Sequence, residues 1–107
     1  MFGFGRKNKE EKQETIEKLI TDFNDKNSQK LDPVIRALDI SSECGLFCKE
    51  VLSCQPFDEK NTQLSDGIKK GVGNLLYSVI SFANENNIEL LALVKNTLEN
   101  FENKNNK

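Results

Sequence analysis

Asp39, Glu43 and Glu50 are the acids whose spacing in this chain suits chemistry. Steps of four and seven residues set three carboxylates along one side of a helix, and oxygen-rich clusters of that kind hold Mg²⁺. Arg36 begins the same polar line, and Leu46 interrupts it where a fourth acid would close the gap. A second polar line follows helical spacing further on, through Lys70, Gly71, Asn74, Ser78, Ser81 and Glu85. Two such helices packed side by side would enclose a wet groove beside their apolar seam. The ligands for a hard cation are sparse, since Leu46, Gly71 and Asn74 offer between them one neutral amide oxygen. Asp39, Glu43 and Glu50 also stretch over about 16 Å at 1.5 Å per residue, too far for all three to grip one ion.

The chain contains no histidine, which removes the commonest general base and the triads that depend on it. Cys44, Cys48 and Cys54 fall within one helical segment. Without histidine a tetrahedral zinc site would need a carboxylate or a second subunit, and an odd thiol count without a secretion signal predicts reduced cysteines that serve as small apolar residues at a helix contact.

The elements that must position these residues read as helices. Residues 1–9 predict a flexible tail, and a helix is expected from Glu10 to about Lys26, with Ile16, Leu19, Ile20 and Phe23 on one side. Glu10, Glu11 and Glu14 would occupy its early turns, where the dipole favours acids. Asp32 and Pro33 announce the next helix, as cap and first helical residue, and it runs to about Cys54. Its apolar residues cover two faces, which places it centrally in a bundle or against a partner subunit. A loop is expected over 55–63, then a helix from about Leu64 to Asn86 whose apolar stripe is Ile68, Val72, Leu75, Leu76, Val79, Ile80 and Ala83. The last helix carries Leu90, Leu91, Val94, Leu98 and Phe101, and the end from Glu102 to Lys107 should fray. No stretch alternates with period two, so the class is all-α.

Composition bounds the rest. A 107-residue chain forms one domain with an adequate but modest core, which favours self-association. The net charge of -2 with interspersed lysines and acids excludes the basic block of a nucleic-acid surface. No apolar run spans a bilayer and the first residues lack a signal-peptide core, so a cytoplasmic protein with neither membrane nor nucleic-acid partner is expected.

Two segments carry a family resemblance that covers Leu31 to Lys104. Ser42-Glu43-Cys44-Gly45-Leu46-Phe47-Cys48-Lys49-Glu50 resembles the first metal motif, Glu-Glu-x-x-Glu, of the MazG-like all-α nucleoside triphosphate pyrophosphohydrolases. Gly71-Val72-Gly73-Asn74-Leu75-Leu76 resembles their second, Glu-x-x-Asp, and the final helix is similar as well. Of the family's five acids only Glu43 stands in place. Ser42, Leu46, Gly71 and Asn74 occupy the other four positions, while the apolar frame and the motif glycines Gly45 and Gly73 agree. The family's terminal basic pattern leaves Lys104 as an implied phosphate contact.

The resemblance implies a MazG-like bundle of about four helices per chain, spanning 10–104, with 105–107 frayed, completed by association into a dimer or a dimer of dimers. It implies a protein that has lost its Mg²⁺ site and works without a cofactor, as a nucleotide-binding or protein-interaction module. The alternative is an active Mg²⁺-dependent hydrolase with Asp39, Glu43 and Glu50 rearranged. Gly costs roughly 1 kcal/mol relative to Ala inside a helix, so Gly45 and Gly73 predict close helix contacts.

Overall fold

In the computed structural model, residues 14–55 and 64–105 are described. They form four helices: α1 (Ile16–Lys26), α2 (Pro33–Ser53), α3 (Asp66–Glu85) and α4 (Leu90–Asn105). No strand occurs among the described residues. The all-α class and the count of four helices agree with the apolar periodicity. The expected tail over 1–9, the start of the first helix over 10–13 and most of the expected loop, 56–63, lie outside the described residues.

Local chemistry sets the helix ends. The Thr15 hydroxyl accepts from the Lys18 amide at 3.1 Å, so α1 starts after it and Glu14 precedes the helix rather than joining its first turn. Asp32 accepts from the Ile35 amide at 3.0 Å with Pro33 in the first turn, as the sequence predicts. Ser65 accepts from the Ile68 amide at 3.1 Å and starts α3. Beyond α1 and α3, Ser28 and Asn87 adopt positive φ values of 54° and 57°. Each lets an amide one residue further on reach back, Gln29 to the Asn24 carbonyl and Ile88 to the Ala83 carbonyl, both at 2.9 Å. Those bonds close the two C-termini with backbone partners. At the far end helix persists to Asn105, where fraying from Glu102 was expected; Lys104 stands in the last turn and complements the exposed carbonyls.

Helices α2 and α3 form an antiparallel hairpin, and α1 packs on α3. α4 has no comparable seam with any of the three. Among the described residues the buried apolar side chains are Ile68, Ile80 and Ala83, joined by Asn24, Arg36, Ser78 and Ser81. The expectation for α3 holds in part: Ile68, Ile80 and Ala83 of its apolar stripe are buried, but so is part of its polar line. Its polar line, at Ser78, Ser81 and Glu85, faces into the seams, whereas Val72, Leu76 and Val79 on the apolar stripe stay 42, 49 and 39% exposed. Burial of that polar segment is possible because the polar groups satisfy one another, the condition under which burial is tolerated. Ile16, Leu19 and Phe23 on α1 and Leu91, Val94 and Leu98 on α4 are likewise exposed within one chain.

Candidate functional site

The register of the α2–α3 hairpin decides what the two polar lines bring together. Arg36 meets Glu85, the Asp39 carboxylate accepts from the Ser78 hydroxyl at 2.7 Å, Phe47 lies on Gly71 and Glu50 lies on Gly67. In that antiparallel progression Glu43 stands level with Asn74, and Leu46 with Gly71. An open groove of about 270 Å³ results, lined from α2 by Glu43, Leu46, Lys49 and Glu50, and from α3 by Gly67, Lys70, Gly71 and Asn74. The two stretches singled out by the sequence therefore do converge on one place.

Their residues have separate fates. Glu43 is half-buried on the groove wall and Leu46 is 57% exposed beside it. Glu50 lines the groove at its end, with its carboxylate against Gly67 in the first turn of α3, where the missing side chain gives it room. A carboxylate is favoured there by the partial positive charge of the helix N-terminus. Asp39 is absent from the groove wall; it is held by Ser78 and stands 3.5 Å from an Arg36 nitrogen. Ser42 is exposed and outside the groove lining. Lys104 lies in the last turn of α4, which has no seam with the groove-forming helices, so one chain does not bring it there.

The donor set does not fit a Mg²⁺ ion. Glu43, Glu50 and the Asn74 amide share the groove with the ammonium groups of Lys49 and Lys70. Octahedral all-oxygen coordination gains nothing from cations at its edge. Among the described residues no group of three or more acids, cysteines or histidines is placed to hold a metal. Lys49 was not legible as a wall residue, because it lies off the polar line of α2 and reaches the groove only through the relative rotation of the helices.

Next to the groove, at the other end of the hairpin, lies a buried polar cluster. Arg36 donates from Nε to Glu85 Oε1 at 3.2 Å, and from Nη2 to Glu85 Oε2 at 2.6 Å and the Gln29 carbonyl at 2.8 Å. The Glu85 carboxylate raises the Arg36 guanidinium above its ordinary value, against the opposing effect of burial. Asn24 accepts from the Tyr77 hydroxyl and donates to Ser81 Oγ at 3.0 Å, which ties α1 to α3. These polar members are partnered within the fold, so the cluster fastens α1, α2 and α3 to one another.

Two expectations fail here. A Cβ at Gly45 or Gly73 would meet nothing within 4 Å in one chain, whereas one at Gly71 would come within 3.2 Å of the Phe47 ring. The close approach thus lies at Gly71 and Gly67, because the seam runs along a different side of both helices from the motif glycines. Cys44 and Cys48 are exposed instead of sitting at a helix contact within the chain, and only Cys54 is partly buried, its thiol donating to Ser65 Oγ at 3.7 Å.

No family model matches the chain, and neither a curated protein nor a solved structure matches it.

Proposed function

We propose that this protein is a non-catalytic, MazG-like helical module that binds an anionic ligand of the nucleotide class in the α2–α3 groove and works as a homo-oligomer in the cytoplasm. The observation that supports this reading is the hairpin register. It gathers Glu43, Leu46, Gly71 and Asn74, the positions at which the two family-like motifs would converge, around one groove that holds two lysines and too few acids for Mg²⁺. Hydrolysis in such a groove lacks the metal that would stabilise developing charge and activate water. Lys49 and Lys70 supply positive charge of their own, suited to phosphate as point charges. The alternative of a rearranged hydrolase gains no support, because Asp39 is engaged by Ser78 and Arg36, and Glu50 faces the start of α3.

The test is a panel of nucleoside triphosphates assayed for pyrophosphate release with and without Mg²⁺, alongside calorimetric binding in the presence of a chelator. The reading expects no Mg²⁺-dependent release, and binding that survives chelation and weakens in a Lys49→Ala, Lys70→Ala variant. Release that depends on Mg²⁺ and disappears in Glu43→Gln would establish the hydrolase instead. Absence of both release and binding would leave protein interaction as the module's role.

A further inference from the structure

Cys44 and Cys48 stand one turn apart on α2, both exposed, and neither lines the groove. Free cysteine is among the residue types most often buried, and its reactivity more than its packing decides what an exposed one does. Cys54 behaves in the ordinary way, partly buried and donating to Ser65 Oγ at 3.7 Å. The other two thiols have no such place within the chain. They are presented side by side on a helix that Asp32 caps and the Arg36–Glu85 pair anchors, so the turn carrying them is already formed.

We infer that Cys44 and Cys48 form a two-coordinate site for a soft monovalent metal ion of the copper(I) and silver(I) class, held as a dithiolate along one turn of α2. Spacing argues for a metal bridge and against a direct bond. Residues four apart on a helix carry their Cβ atoms about 5–6 Å from each other. A disulfide needs about 3.8 Å between those atoms, so an intact α2 keeps the two thiols from oxidising to one another. An ion between them suits the longer gap. Metal–sulfur bonds of about 2.3 Å on opposite sides of one ion set the sulfurs about 4.6 Å apart, within reach of staggered rotamers on two exposed side chains. The donors also choose the ion. Thiolates select soft copper(I), whereas zinc takes four ligands, and among the described residues no third cysteine or carboxylate completes such a group in a chain without histidine. On binding, both thiols release their protons to solvent, two S–metal bonds form, and neither sulfur nor metal changes oxidation state. The site does not depend on the groove or on what the groove binds.

The test titrates reduced protein with copper(I) under anaerobic conditions, in competition with the chromogenic chelator bathocuproine disulfonate. One ion per chain is expected. Cys44→Ser or Cys48→Ser should each weaken binding about a hundredfold or more, since each removes one of two soft donors, while Cys54→Ser leaves it unchanged and excess zinc does not compete. The unmodified protein gives a second readout. Bound copper(I) should slow alkylation of Cys44 and Cys48 by N-ethylmaleimide about tenfold or more, peptide by peptide, because a metal-held thiolate is no longer a free nucleophile. Should a variant fail to fold, this protection decides. Full affinity in either single variant, one ion shared by two chains, or thiols that copper(I) does not protect would each overturn the site. So would metal-free protein whose Cys44 and Cys48 fail to react at all, because the pair would then be covered.

Discussion

The Arg36 guanidinium and the Glu85 carboxylate meet at 2.6 Å inside the molecule, their side chains 2% and 7% exposed. They join the first turn of α2 to the last turn of α3, and Glu85 also accepts from the Leu31 amide at 3.3 Å, so the linker before α2 is fixed by the same carboxylate. The pair closes one end of the hairpin, in the register that puts Glu43 level with Asn74 near its middle.

Removing one partner should be far worse than removing both. Arg36→Met leaves a buried carboxylate uncompensated, a loss of roughly 3–5 kcal/mol, while Arg36→Met with Glu85→Leu should recover most of it. Urea unfolding of the two variants measures the difference. Equal losses would mean that the pair contributes through packing alone.

The pH dependence follows from the direction of the shift. Glu85 raises the Arg36 value, so the arginine's contribution is fully present below its unfolded value and is lost only as pH rises through the still higher folded value. Between about pH 6 and pH 9 the stability difference between wild type and the Arg36→Met, Glu85→Leu double variant should therefore stay flat, since neither buried group is left without its partner. A steep slope in that window would show that another group titrates against this pair.

Helix α1 is fastened to α3 by Asn24, which is 4% exposed, more than by its apolar stripe. Asn24→Ala should cost about 1–3 kcal/mol through the unpaired Tyr77 and Ser81 hydroxyls. Hydrogen exchange should rise first in α1, with α2 and α3 still protected. Uniform acceleration over all helices would instead make α1 part of a single cooperative unit.

The glycines should separate by sign. Gly73→Ala removes a helix penalty at a position open within the chain and should stabilise by about 0.5–1 kcal/mol. Gly71→Ala forces the Phe47 ring to yield and should give less than that or destabilise. Thermal unfolding of both decides the order. Loss of stability in Gly73→Ala would place a neighbouring protomer over that position.

A metal site should be recoverable in steps. Leu46→Glu with Asn74→Asp adds two carboxylates beside Glu43 without touching the Phe47–Gly71 contact, and calorimetry should then detect Mg²⁺ binding absent from the parent. Adding Gly71→Glu should tighten it only if Phe47 can shift. A folded double variant with no gain in metal affinity would show that the two carboxylates do not reach a common point with Glu43.

The sequence by itself determined the four helices, because periodicity, Asp32 with Pro33 and the Asn84-to-Asn87 break are local signals that act over one or two turns. It also determined that the line through Glu43 and the line through Asn74 could share a groove, since each line is fixed by helical spacing alone. Only the tertiary structure decided which lines are buried. Ser78, Ser81 and Glu85 entered the seams since Asp39, Asn24 and Arg36 were there to satisfy them, while Val72, Leu76 and Val79 remained uncovered. Spacing along one helix specifies a face, and the rotation of that face toward a neighbour depends on partners distant in sequence. For the same reason Gly71 and Gly67, rather than Gly45 and Gly73, became the points of close approach, and Lys49 joined the groove.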